Sequence, residues 1–177
     1  MLEFGVEVAQ SHPNELTDIS NAALVEEFFL AALDLKQIDW AQVFLRAICQ
    51  LFPNNVKTMR FLAMYYEGAA NTFKAQEIYL EILENTPEDC STMKRLISLY
   101  RNNDMPNDAI SMLNKYLEIN QIDEEAWLEL CDIYLAKQNF TKAQFCYEEL
   151  LLVNPTNYQH NLKYAEILYS LAIASNC

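Results

Sequence analysis

The side chains with most chemistry to offer in this 177-residue sequence are five cysteines, two histidines and a few mid-chain bases. A thiol acts as a nucleophile or zinc ligand when a basic neighbour or a closely spaced second cysteine favours the thiolate. Cys49, Cys90, Cys131, Cys146 and Cys177 show no CxxC spacing, and their odd number argues for reduced thiols in a cytosolic chain. Cys131 falls at the eighth place of its frame, where a small apolar residue is wanted, Cys146 lies on a second helix beside Phe145, and both read as buried hydrophobes. His160, beside Gln159 and Asn161, has no partner at metal-like spacing and reads as a solvated histidine. Tyr66, Tyr100 and Tyr134 could form an aromatic cage, but their helical spacing places them on a buried stripe, as core. No nucleophile–base pair and no paired carboxylates in an apolar setting emerge. The chain is therefore read as non-enzymatic, without catalytic, cofactor-binding or metal-binding residues.

Composition narrows the partners. The chain carries 25 acids against 12 bases, a net charge of −13, which disfavours nucleic acid and an anionic membrane surface. Only Gly5 and Gly68 are present, too few for a glycine-rich phosphate cradle. No basic, apolar leader opens the sequence, and no run approaches the length of a membrane span. With 52% hydrophobic residues, the chain is rich enough to bury a core as one domain or a short repeat array.

The helices that carry these residues follow from an internal period. Four ungapped frames of 34 residues, 22–55, 56–89, 90–123 and 124–157, align residue by residue. The seventh place of each frame holds Phe28, Leu62, Leu96 and Leu130, and the eleventh Ala32, Tyr66, Tyr100 and Tyr134. The twentieth is always alanine: Ala41, Ala75, Ala109 and Ala143. Places 4, 7, 8 and 11 make the apolar face of one helix, and places 20, 24 and 27 that of a second. Asn71, Asn102-Asn103-Asp104 and Asn139 lie in the turns between them and could cap the second helices. Pro53, Pro87 and Pro155 follow the second helices, where proline ends the ladder. Each frame is a helix–turn–helix hairpin. The small alanine suits a close crossing of the two backbones.

The fold class is all-α, a superhelix of stacked antiparallel hairpins, because one hairpin cannot bury its apolar stripe alone. Residues 1–21 form a short helix around Leu2 to Ala9, a loop with His12-Pro13-Asn14, and Ser20 as N-cap of the first repeat. Residues 158–177 read as the first helix of a fifth, truncated repeat. Without its mate, that helix is expected to expose Ile167, Leu168, Leu171 and Ile173 and to self-associate or fray.

First helices line the inner side of such an array. The residues expected to face a partner-binding groove are Lys57, Arg60, Met64, Lys94, Ser98, Arg101, Leu128, Asp132 and Leu135. Lys57, Arg60, Lys94 and Arg101 form a basic patch in an acidic chain. Two readings stay open: a slot for an acidic partner segment, or cations that offset acids on neighbouring helices.

The spacing and the Trp127, Ala143 and Pro155 signature resemble the tetratricopeptide-repeat family. The clamp asparagines of its chaperone-binding members are missing: the ninth places are Leu30, Met64, Ser98 and Asp132. More specific runs are Phe29-Leu-Ala-Ala-Leu-Asp34, Trp40-Ala-Gln-Val-Phe-Leu45, Glu125-Ala-Trp-Leu-Glu-Leu130 and Phe140-Thr-Lys-Ala-Gln-Phe-Cys-Tyr-Glu-Glu-Leu150. With Asn154-Pro155 and Tyr164-Ala-Glu166, they are similar to the subunit-2 family of the endoplasmic-reticulum membrane protein complex. That resemblance implies a scaffold on the cytosolic face of the endoplasmic reticulum. Its partners would be cytosolic segments of membrane proteins and a second soluble subunit, and the assembly inserts membrane proteins. The family continues through further C-terminal helices. The alternative function is a free-standing cytosolic adaptor or assembly factor that binds a peptide segment in its groove.

Overall fold

The computed structural model describes residues 2–11, 16–53 and 55–175, and among them all regular structure is helical. Helix α1 spans Leu2–Ser11, and a 3-10 turn covers Ile19–Asn21. The loop of His12, Pro13 and Asn14 lies outside the described residues. Then come α2 (Ala22–Asp34), α3 (Ile38–Leu51), α4 (Val56–Gly68), α5 (Thr72–Asn85) and α6 (Cys90–Asn102). They are followed by α7 (Pro106–Ile119), α8 (Glu124–Ala136), α9 (Phe140–Val153) and α10 (Tyr158–Ser175).

The turns inside the hairpins repeat to the atom. At the end of α4 the Asn71 N–H donates to the Tyr66 carbonyl at 2.8 Å, and the Ala70 N–H to the Glu67 carbonyl at 3.0 Å. This is a Schellman closure, which satisfies the last carbonyls of a helix. The same pair of bonds closes α2, α6 and α8 through Lys36–Gln37, Asp104–Met105 and Gln138–Asn139. The closure needs one residue in the left-handed region, and Lys36, Ala70, Asp104 and Gln138 take it with φ of 55°, 57°, 54° and 56°. None is glycine.

Capping partly follows the expected residues. The Asn71 and Asn139 side chains accept from the Lys74 and Lys142 N–H groups at 3.3 and 3.2 Å. The Asn102-Asn103-Asp104 stretch does not cap α7. Asp104 is the left-handed residue, Asn103 Nδ2 donates back to the Leu99 carbonyl at 2.9 Å, and Met105 stands at the cap with Pro106 behind it. Proline there removes one N–H that would otherwise need a partner. Ser20 is not the cap of α2 either. Asn21 occupies that position, and the Ser20 N–H donates to Asp18 Oδ1 at 3.0 Å.

The chain divides into two compact units, Met1–Thr92 and Met93–Cys177. In the first, Val25, Phe28, Phe29 and Ala32 of α2 meet Ala41, Phe44 and Ile48 of α3. The Phe28 and Phe44 rings lie 5.6 Å apart, and Phe29 meets Phe61 of α4 edge-on at 5.3 Å. Full burial of a valine, isoleucine or phenylalanine side chain here contributes about 1.5–3 kcal/mol. Gly5 lets α1 approach this core: a Cβ there would stand 2.7 Å from Phe28 Cγ. In the second unit Leu130, Cys131 and Tyr134 of α8 and Ala143, Cys146 and Leu150 of α9 are all buried, as is Ala109 of α7. Tyr100 and Tyr134 are core residues. Tyr66 departs from the expected stripe: it is half-buried, with the Lys74 ammonium 5.3 Å from its ring centre.

Candidate functional site

The residue just before each of α4, α6, α8 and α10 is Asn55, Asp89, Asp123 or Asn157. Each side chain accepts a hydrogen bond from a backbone N–H of the helix it precedes: Lys57, Ser91, Ala126 and Gln159, at 2.8, 3.2, 3.2 and 3.0 Å. Short oxygen-bearing side chains suit this place because the first N–H groups of a helix have no partner within it.

The two aspartates also hold the expected bases. Arg60 of α4 donates from Nη2 to Asp89 Oδ2 at 2.7 Å and from Nε to Thr92 Oγ1 at 3.2 Å. Lys94 of α6 places Nζ 2.7 Å from Asp123 Oδ2, and its ammonium lies 5.3 Å from the Tyr116 ring centre. The Tyr116 hydroxyl donates to the same carboxylate oxygen at 2.6 Å. Burial alone would raise Asp123, but the hydrogen bonds from Lys94, Tyr116 and Ala126 outweigh it and hold the carboxyl below its ordinary value. Asp89 is lowered in the same way: burial opposes, and Thr92 and Arg60 prevail. The hydrogen bond to Asp123 raises Lys94.

The other two bases are paired as well. Lys57 donates to Glu26 Oε2 at 2.7 Å, and Arg101 Nη1 lies 3.2 Å from Glu129 Oε1. All four cations of the sequence patch thus sit against an acid of a neighbouring element. Lys94 still exposes 50% of its side chain and Arg101 43%, so both stay open to solvent. That these cations offset acids on neighbouring helices was one of the two readings left open by the sequence; what it did not supply is which acid answers which base. Asp89 and Asp123 were detectable, because they stand one period apart.

The remaining groove candidates fall in two places. In the first unit, Met64 is 7% exposed and belongs to the core with Phe29 and Phe61. In the second, Lys94 and Ser98 line a small cavity of about 100 Å³ with Tyr116, Glu125 and Glu129. Arg101 and Asp132 line a larger one of about 420 Å³, whose apolar wall is Met105, Pro106, Ile133 and Ala136. Leu128 and Leu135 are half-buried. These cavities suit side chains of a docked segment, and nothing in either resembles a reacting pair.

His160 corrects the sequence reading. It is buried, 5% exposed, with Nε2 3.2 Å from Glu124 Oε1 and 3.1 Å from Asn157 Nδ2. Its ring meets Tyr147 edge-on at 6.4 Å. The reason is register: His160 is the third residue of its frame, the place held by the buried Thr58 and Thr92 in earlier repeats. Cys131 and Cys146 are buried, and burial pushes both thiols up to about 12. Ile167, expected at the surface, is buried too, and Leu171 is half-buried, whereas Leu168 and Ile173 are exposed.

A model of the EMC2 TPR-like repeat domain matches residues 38–174. The chain is 32% identical over 170 residues to ER membrane protein complex subunit 2-A of Xenopus laevis, covering 96% of this chain and 57% of that protein. It is 30% identical over 157 residues to ER membrane protein complex subunit 2 of Dictyostelium discoideum, covering 88% and 49%. The chain therefore spans about half the length of these curated relatives. Among solved structures, MamA residues 41 to the end from Desulfovibrio magneticus RS-1 superposes with a TM-score of 0.63 at 12% identity, over 86% of each chain. The TPR protein TTC0263 of Thermus thermophilus gives 0.60 at 14%, over 95% of this chain and 89% of that one. These two likenesses establish the tetratricopeptide fold. With its hairpins, their closures and the match over residues 38–174, the chain belongs to the EMC2 TPR-like repeat family.

Proposed function

We propose that this chain is a non-catalytic scaffold subunit of an endoplasmic-reticulum membrane protein complex, peripheral on the cytosolic face and supporting membrane protein insertion. The observation that carries this reading is the family match over residues 38–174 on an array of helix hairpins. It is supported by the absence, among the described residues, of any helix long and apolar enough to cross a membrane. Contacts to the other subunits run through the groove faces, Lys57 and Arg60 in one unit, and Lys94, Ser98, Arg101, Leu128, Asp132 and Leu135 in the other. The cytosolic tails of membrane-embedded subunits and a second soluble subunit are the partners. The solvent face of α10 serves association, with a second copy or with a neighbour.

Mass spectrometry of what co-purifies with the tagged chain from gently solubilised microsomes tests this. Stoichiometric recovery of integral endoplasmic-reticulum proteins is the expected result. Recovery of one soluble client instead would replace the scaffold with the adaptor reading. Lys94→Glu combined with Arg101→Glu should then reduce that recovery while leaving the helical melting profile in place. Unchanged recovery would remove the groove from the reading.

A further inference from the structure

Helix α5 buries Ala75, Tyr79 and Ile82 against its own hairpin. Its solvent face carries apolar side chains among acids. Phe73 is 76% exposed and Leu80 38%. Glu77, Glu81 and Glu84 are exposed beside them. The spacing i, i+4, i+7, i+8 and i+11 puts all five on one stripe. None of the three glutamates has an ion-pair partner among the described residues, although Lys74 lies on the same helix.

The repeat register shows that the fold does not call for this composition. The places of Phe73, Glu77, Leu80, Glu81 and Glu84 are held by Asp39, Val43, Arg46, Ala47 and Gln50 in the first repeat. In the third they are Asn107, Ser111, Asn114, Lys115 and Glu118. In both of these repeats the residue at the Phe73 place is polar, and a base stands within the stripe. In the fourth they are Thr141, Phe145, Glu148, Glu149 and Leu152, which comes nearer, with Leu152 76% exposed, but the Phe73 place is again polar and two of the groups have partners. Phe145 meets Trp127 edge-on at 6.1 Å, and Glu148 accepts from Gln144 and Tyr164. An aromatic ring left in water on a helix that already has its buried face is unfavourable for the free chain. Unpaired acids around an apolar centre complement a segment that brings cations around an apolar side chain.

We propose that the solvent face of α5 is a docking strip for a basic amphipathic segment of a partner protein, with Phe73 and Leu80 as apolar anchors and Glu77, Glu81 and Glu84 as its acidic rim. None of these five residues is among the groove candidates, and the proposal stands or falls independently of them.

The test uses the full chain and a fluorescently labelled 18-residue probe peptide of leucine and lysine at helical spacing, with its leucine–glutamate counterpart as control. Anisotropy at low salt should give saturable binding of the lysine peptide and none of the glutamate peptide. Phe73→Ser should weaken the lysine peptide at least fivefold. Glu77→Gln with Glu81→Gln and Glu84→Gln should weaken it at least tenfold and flatten its salt dependence. A matched set elsewhere, Asp34→Asn, Asp108→Asn and Glu118→Gln, removes the same charge. If that set weakens binding as much as the α5 set, the attraction is the net charge of the chain and the proposal fails. It also fails if Phe73→Ser alone abolishes binding while the three neutralisations do nothing, which would mean an uncharged apolar occupant. All substituted residues are exposed, and unchanged melting curves would show that each variant is folded.

Discussion

Lys36, Ala70, Asp104 and Gln138 each hold a left-handed backbone at the same point of successive hairpins. A side chain in that region costs about 1–2 kcal/mol, against which glycine gives up about 0.5–1 kcal/mol of unfolded-chain entropy. Ala70→Gly and Gln138→Gly should therefore each stabilise the protein by about 0.5–1 kcal/mol, read from urea midpoints. The invariant alanines have the opposite tolerance. Ala143 is fully buried, and its carbonyl lies 3.9 Å from Cys131 Sγ across the hairpin. Ala143→Leu should overpack that crossing and lower stability by about 1–3 kcal/mol. A thermal melt matching the unsubstituted chain would show the crossing to be looser than its geometry.

At the scale of elements, one helix start anchors the preceding first helix. Where the fifth residue of a first helix is a base, Arg60 or Lys94, the cap of the next first helix is aspartate, Asp89 or Asp123. Where it is Glu26 or Leu128, the corresponding cap is Asn55 or Asn157. Asparagine caps a helix as well as aspartate does, so the charge is there for the base. Asp89 and Asp123 titrate below their ordinary value of 3.8. The unfolded chain thus takes up protons on them before the folded one does. Their contribution is complete above the unfolded value and is lost as pH falls through the folded one. Asp123→Asn should keep the cap but lose the Lys94 pair, about 1 kcal/mol or less at pH 7. The difference from the unsubstituted chain should shrink as pH falls from about 5 to about 2. Denaturation midpoints at about pH 7, 4 and 3 check this.

For the molecule as a whole, α10 leaves several large apolar side chains exposed. His160 and Ile167 face inward, and α10 packs on α9. Ala165 and Leu168, at places that in other first helices meet the second helix of the same hairpin, are exposed together with Leu162, Tyr169 and Ile173. Contiguous apolar surface of this kind draws a partner. Light scattering should show mass rising with concentration, and Tyr169→Lys with Ile173→Lys should suppress the rise. Amides of α10 should exchange faster than those of α8, whose Leu130 and Cys131 are closed in by hairpin packing. A monomer with α10 as protected as α8 would count against association through this face.

The helices, their order and the steric role of the alanines were legible along the chain, because these are local: a helical period, a turn and a small residue recurring every 34 positions. Caps were local enough to be read in advance at Asn71 and Asn139, yet Met105 and Asn21 took places expected of other residues. The state of the functional side chains was set instead by packing in three dimensions. Whether Lys57, Arg60, Lys94 and Arg101 are free or paired depends on acids 28 to 31 residues away, brought within 2.7 to 3.2 Å by hairpin packing. His160 and Ile167 are buried for the same reason: the face that a helix shows to its predecessor is set by through-space packing, which charge and hydropathy along the chain do not specify.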